Sequence, residues 1–258
     1  MIYIAVNYSL SETALKAKVK QTLDIIIPVY NPDTNWHKLV VEYLNNVISD
    51  HSNLSILPTV VNDGSKKDIT SDITCIKSEI TNFNFLNIHT NVGKGAAIRE
   101  ALKNSNSDFS LYVDADMPYD LISINAVINA ITSKSKPDLV VGVRSNSYSE
   151  NLRGRRKLLS KMLVYFNKYI LRLPIYDTQA GLKAMNPIAR DILLSTTANR
   201  FLFDLEYMLL CKKNKLILIS KLISPRKNII STKFNFFTLV KEVPGLFTIL
   251  KIHISTIM

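Results

Sequence analysis

Residues 23–32 read Leu23-Asp24-Ile25-Ile26-Ile27-Pro28-Val29-Tyr30-Asn31-Pro32. A short run of β-branched residues with one charge describes a strand buried on both faces, and Tyr30-Asn31-Pro32 stops it. Over 33–49, Trp36, Leu39, Val40, Tyr43, Leu44 and Val47 then recur at helical spacing. The unit repeats: strands over 54–61, 83–88, 109–113 and 138–143 alternate with helices over 69–80, 94–104 and 121–131. This rhythm predicts an α/β chain with a parallel sheet covered on both faces.

After Arg144 the rhythm changes. A basic segment leads into a long helix over 155–171, then a loop ending at Asp177-Thr178-Gln179. A helix over 201–212 and a strand over 216–223 follow. From about 231 the pattern is helical again, interrupted by Pro244 and Gly245. The expected organisation is an extension over 1–22, a catalytic unit over 23–230 and an amphipathic segment over 231–258. The catalytic unit would divide into a nucleotide-binding half (23–144) and an acceptor half (145–230).

The composition removes several classes. A chain of 258 residues with 47% hydrophobic content can bury a core, so disorder is excluded. Two distant cysteines, Cys75 and Cys211, make neither a disulfide framework nor an ordinary zinc site. No apolar run is long enough to span a bilayer, and the N-terminus lacks the features of a signal peptide. The expectation is a soluble cytoplasmic protein. Its formal net charge of +11 requires an anionic partner. That charge is uneven: residues 144–172 hold eight Lys/Arg and one Glu, and 207–258 hold nine and one.

Two segments carry chemistry. In Leu111-Tyr112-Val113-Asp114-Ala115-Asp116, a strand runs into carboxylates at i and i+2, which leave the same face at its carboxyl end. Ligands bind at that edge of an open parallel sheet, and paired carboxylates suit a hard divalent cation. A plainer role for Asp116 is to cap the next helix. Asn91-Val92-Gly93-Lys94-Gly95-Ala96-Ala97 lies between a strand and a helix, where small residues and a helix N-terminus suit an anion. It fits neither the Walker A nor the dinucleotide fingerprint, and a plain tight turn is the other reading.

The segments Asp24–Asn31 (DIIIPVYN), Val61–Ser65 (VNDGS), Asn91–Ala97 (NVGKGAA) and Asp114–Asp116 (DAD) occur in the order seen in family 2 glycosyltransferases of GT-A fold, which the chain resembles. That resemblance implies an α/β fold of three αβα layers with a mostly parallel central sheet. Arg144, Arg155-Arg156-Lys157 with Ser160, Asp177–Gly181 and Phe203-Asp204-Leu205-Glu206 extend the resemblance to the family's polyprenyl-phosphate branch, the dolichyl-phosphate mannose and glucose synthases. The resemblance implies that Pro28, Val29, Tyr30, Asn31, Asp63, Gly93, Lys94, Asp114, Ala115 and Asp116 bind the nucleotide sugar, UDP- or GDP-linked. Asp114 and Asp116 would hold Mg²⁺ or Mn²⁺, with Pro118 standing where mannose synthases often have a further polar ligand.

Arg144, Arg156, Lys157, Ser160, Gln179 and Glu206 are the expected contacts of the acceptor phosphate, with Asp116, Asp177 and Arg156 as catalytic residues. A phosphate monoester is already anionic at neutral pH, so it needs cations more than a base. The expected reaction is transfer of a sugar to a polyprenyl phosphate with inversion, by a protein peripheral on the cytoplasmic face of a membrane, at an anionic surface that the 231–258 segment would contact. Transfer to a saccharide hydroxyl, with Asp177 or Glu206 as general base, is the alternative; Asp177 and Glu206 could also be structural partners of the arginines. A non-enzymatic nucleic-acid-binding protein is a remote third, because no nucleic-acid motif is present.

Overall fold

A computed structural model describes residues 20–144, 154–200 and 202–226, with the isolated positions 245, 249, 250 and 254; side chains at 154–157 and 159 are outside it. Of the expected extension over 1–22, residues 1–19 lie outside the described residues and Gln21 and Thr22 belong to β1; the expected segment 231–258 lies outside them apart from those four positions.

The first half follows the expected alternation: β1 (Gln21–Val29), α1 (Trp36–Asp50), β2 (Leu54–Asp63), α2 (Thr70–Glu79), β3 (Asn84–Ile88), α3 (Lys94–Leu102), β4 (Phe109–Val113), α4 (Leu121–Ile131) and β5 (Leu139–Arg144). The second half comprises α5 (Gly154–Tyr165), a π turn (Phe166–Ile170), β6 (Leu182–Met185), α6 (Pro187–Leu194), α7 (Phe203–Lys213) and β7 (Leu218–Ile223). The seven strands form one sheet in the order β3-β2-β1-β4-β6-β5-β7. All pairings are parallel except those of β6, which is antiparallel to both β4 and β5.

Alternation along the strands divides the core in two. Ile25, Ile27, Leu111 and Val113 face the layer of α1, α2 and α4, while Ile26 and Tyr112 face that of α3, α6 and α7. From β1 the chain steps outward to β2 and β3, then returns to place β4 on the other side of β1. The reversal opens a crevice at the carboxyl ends of β1 and β4, where open α/β sheets bind ligands.

Three features depart from the sequence reading. β6 and α6 were not anticipated. The helix expected over 155–171 ends at Tyr165, and a π turn carries the chain to Ile170. Leu171 donates its N–H to Phe166 across five residues, and this turns the buried Asn167 amide onto the Tyr176 carbonyl at 2.8 Å and Thr178 Oγ1 at 3.2 Å. The π turn thus anchors the loop that reaches the crevice.

Candidate active site

The crevice is a cavity of about 420 Å³ bordered by Pro28, Tyr30 and Asn31 after β1 and by Ala115 and Asp116 after β4. Tyr30 is 48% exposed, its ring free to stack on a ligand. Asn31 has φ 46°, and its side-chain oxygen accepts from the Lys66 N–H at 2.8 Å, which ties β1 to the turn after β2. Val29, expected with them, is buried in the core at 2% exposure and is absent from the cavity wall.

Asp63 ends β2, but its carboxylate is engaged within the protein. It accepts from the N–H groups of Val92 (2.7 Å) and Gly93 (3.0 Å) and from the Asn91 amide (2.8 Å). Burial pushes its carboxyl above the ordinary value, against the pull of those two N–H groups. The expectation that Gly93 and the start of α3 offer backbone donors to an anion is corrected. The N–H groups of Gly95 and Ala96 donate to the Asn199 carbonyl, at 2.8 and 3.4 Å. Gly93 sits at φ +100°, where a Cβ would come within 2.5 Å of that carbonyl oxygen, so glycine is required by close backbone approach.

What α3 does present is Lys94. Its ammonium is ion-paired with Asp114 and lies 5.8 Å from the centroids of the Tyr112 and Phe203 rings. Burial alone would lower its pKa, yet the carboxylates of Asp114 and Asp204 raise it, so Lys94 remains charged. Gly181 closes over this pair: a Cβ there would lie 2.0 Å from an Asp114 carboxylate oxygen. Asp116 is exposed and faces the cavity. Loss of solvent around part of its carboxyl, then the Asp114 charge, push its pKa up to about 6. The plainer capping role belongs to another residue, because Asp120 caps α4 by accepting from the Ser123 N–H at 2.8 Å.

Two neighbouring carboxylates, one of them pushed up by the charge of the other, are an arrangement that a cation relieves. Among the described residues, no third His, Cys, Asp or Glu joins the pair. Two carboxylates fit a Mg²⁺ or Mn²⁺ whose other ligands are substrate phosphate and water.

Arg226, missed in the sequence, also lines this cavity. The bridge between Tyr119 and Pro225 brings it there, and its guanidinium donates to the Met117 carbonyl at 3.2 Å.

The acceptor-side residues fall into separate groups. Arg144, at the end of β5, donates to Asp177 from its backbone N–H (2.9 Å), Nε (2.9 Å) and Nη2 (2.6 Å). Burial would raise the Asp177 carboxyl, but this grip holds it below the ordinary value. Tyr119 connects this pair to the acidic one, since its hydroxyl accepts from the Gly181 N–H at 3.0 Å and feels both Asp114 and Arg144. Gln179 is half-buried on the same loop. Arg156, Lys157 and Ser160 lie on α5, where Ser160 is half-buried and the Arg156 and Lys157 side chains are outside the described residues. The expectation for Glu206 is corrected. It is 2% exposed, and its carboxylate accepts from Thr197 N–H and Oγ1 and from the Ala198 N–H at 2.7 Å, so it braces a loop and faces no acceptor.

Beneath the acidic pair lies a network invisible to sequence reasoning. Lys183 on β6 is fully buried, and its three ammonium protons go to the carbonyls of Thr178 (2.9 Å) and Ala180 (2.8 Å) and to Asp204 (2.6 Å). The Asp204 oxygen also accepts from the Tyr112 hydroxyl. This lysine fixes the 178–181 loop and, through Gly181, the wall against Asp114.

The family model described as Glycosyl transferase family 2 matches residues 24–193. A dolichyl-phosphate beta-glucosyltransferase of Trichomonas vaginalis is 26% identical over 205 residues, which are 75% of this chain and 62% of that protein. The chain thus spans about three fifths of the length of the first curated relatives it matches. Mannosyl-3-phosphoglycerate synthase from Rubrobacter xylanophilus superposes with a TM-score of 0.67 at 14% identity, over 90% of this chain and 73% of that one. Glucosyl-3-phosphoglycerate synthase from Mycobacterium tuberculosis, crystallised with Mn²⁺ and UDP-glucose, gives 0.61 at 14% identity, over 90% and 79%. These likenesses establish the GT-A fold, and with more than half of its length inside the family model, the chain belongs to glycosyl transferase family 2.

Proposed function

We propose that the protein transfers a hexose, with inversion, from a nucleotide-diphosphate sugar to a polyprenyl phosphate. Glucose from UDP-glucose and a dolichyl-type acceptor are the specific choices, supported by the similarity to dolichyl-phosphate beta-glucosyltransferases. The division of labour is the one expected from the sequence, with 23–144 as the donor half and 145–230 as the acceptor half.

The observation that carries the reading is the state of the carboxylates on the acceptor side. A hydroxyl acceptor needs a base within reach of its proton. Asp177 is gripped by Arg144 with its pKa lowered, and Glu206 is sealed against Thr197 and Ala198. Of the described histidines, His37 pairs with Asp72, His51 contacts Asn125 and His89 is exposed after β3, and none of the three lines the cavity. A phosphate acceptor needs no proton removed, only cationic positioning, which Arg144 on β5 with Arg156 and Lys157 on α5 would supply.

On the donor side Tyr30 would stack on the base, and Lys94 and Arg226 would face the diphosphate. A divalent cation held by Asp114 and Asp116 would neutralise charge on the departing diphosphate. The acceptor phosphate oxygen bonds to the anomeric carbon as the bond from that carbon to the diphosphate oxygen breaks, the electron pair leaving with the nucleotide. Asp177 keeps the Arg144 fork aimed, and Lys183 keeps the 178–181 loop closed over Asp114.

The test is a panel of UDP- and GDP-sugars with polyprenyl phosphate in the presence of Mn²⁺ or Mg²⁺, reading lipid-linked sugar. The expected product is polyprenyl-phosphate glucose from UDP-glucose. Transfer only to free saccharides would contradict the reading.

A further inference from the structure

Among the described residues, thirteen large hydrophobic side chains are exposed, and seven of them fall between 158 and 176. Leu158, Met162, Tyr165 and Tyr169 are spaced by four, three and four residues, so they form one stripe along α5 and its π turn. They are 54–61% exposed. The opposite side of the same helix packs inward: Leu163 and Phe166 lie against the core and Asn167 is fully buried. A helix that is apolar on both sides is ordinarily covered on both. Among the described residues, this one is covered on one side only.

Charge identifies what lies on the other. Residues 154–172 contain six Lys/Arg and no carboxylate. Lys161, Lys168 and Arg172 are exposed beside the stripe. The Lys168 ammonium stands 5.0 Å from the Tyr169 ring centroid and 5.4 Å from that of Tyr176, and the Tyr165 and Tyr169 rings lie 4.7 Å apart. Apolar side chains, tyrosines with one polar end, and flanking cations together match the boundary between acyl chains and anionic headgroups. A second copy of this chain would bring six further cations against these six, which charge repulsion opposes.

We propose that the outward face of α5 and its π turn docks into the headgroup layer of an anionic membrane. The choice of a lipid partner rests on the proposed polyprenyl-phosphate acceptor, whose phosphate lies at that depth. Docking sets Ser160, on the inward side of α5, level with it. The site is then assembled at the interface, so the lipid presents its phosphate without leaving the bilayer.

The experiment uses the whole chain with Leu158, Met162 and Tyr169 all changed to Gln, and separately with Lys161→Glu and Lys168→Glu. Thermal unfolding checks that each variant is folded. Sedimentation is measured with phosphatidylcholine vesicles with and without phosphatidylserine. The apolar variant is expected to lose about tenfold or more of its partition to the anionic vesicles. The charge variant is expected to lose the preference for phosphatidylserine. Transfer to a water-soluble short-chain isoprenyl phosphate should be unchanged in both, while transfer to vesicle-embedded acceptor falls. A folded apolar variant that still binds vesicles as the parent does would overturn the proposal, as would a parent that binds none. So would a dimer that dissociates in the variants while vesicle binding stays constant. If the parent uses no isoprenyl phosphate at all but the vesicle losses occur, the acceptor assignment fails and the docking face stands.

Discussion

Two lysine–aspartate pairs lie close to the ring of Tyr112, and they have opposite fates. Lys94 and Asp114 are each about one third exposed at the mouth of the crevice. Lys183 and Asp204 are 0% and 5% exposed beneath it. The ammonium groups stand 5.8 and 5.5 Å from the same ring centroid. The upper pair keeps solvent access and can exchange its partner for a ligand. The lower pair has every lysine proton directed to a protein acceptor and can exchange nothing. Residue type is identical; burial decides which pair serves binding and which holds the wall in place.

Breaking the lower pair gives the largest expected effect on the fold. In Lys183→Met, Asp204 is left buried with only the Tyr112 hydroxyl, and stability should fall by about 3–5 kcal/mol in denaturant unfolding. Burial already depresses the Lys183 pKa, with Asp204 only partly offsetting it. Pairing Lys183→Met with Asp204→Leu should therefore restore most of the stability. Activity should stay low in the double variant, since the carbonyls of Thr178 and Ala180 lose their anchor. Full activity in a stable double variant would show that the network does not position the loop.

The upper region should respond in the other sense. Asp116→Asn is expected to lower transfer by about 100-fold or more at unchanged unfolding temperature. Lys94→Met should raise the donor KM about tenfold, leaving kcat nearly intact. If either variant unfolds like the lower-pair variant, the distinction between the pairs is wrong.

The smallest effect belongs to Asp177. Its folded pKa lies below the ordinary 3.8, so its pairing with Arg144 stabilises the fold above that value and is lost as pH falls through the folded pKa. Asp177→Asn should cost about 1–2 kcal/mol at neutral pH, and the gap to the parent should close on acidification. A gap that is constant from neutral pH down to pH 3 would remove the ion pair as its cause.

The sequence made the first nine elements legible because β-branched runs and helical spacing alternate cleanly through residue 144. β6 escaped because Leu-Lys-Ala-Met is short and places a charge at its centre; the Thr178 and Ala180 carbonyls and Asp204, twenty-one positions away, make that burial possible. For α6 a signal was present in Asn186-Pro187, where Asn186 caps the helix and Pro187 opens it. The acidic residues were legible as residues but not in direction. Asp63 and Glu206 turn inward to brace loops, and nothing local to either residue specifies that. Arg226 reaches the crevice through a bridge between residues over one hundred positions apart, a pairing set by the tertiary fold alone.

The central claim is that the acceptor arrives already charged and that neither Asp177 nor Glu206 serves it as a base. The direct measurement compares a polyprenyl phosphate with the corresponding free polyprenol as acceptor, using the same nucleotide sugar and the same vesicles. Sugar should pass to the phosphate and not measurably to the alcohol. Comparable rates with the two acceptors would contradict the account.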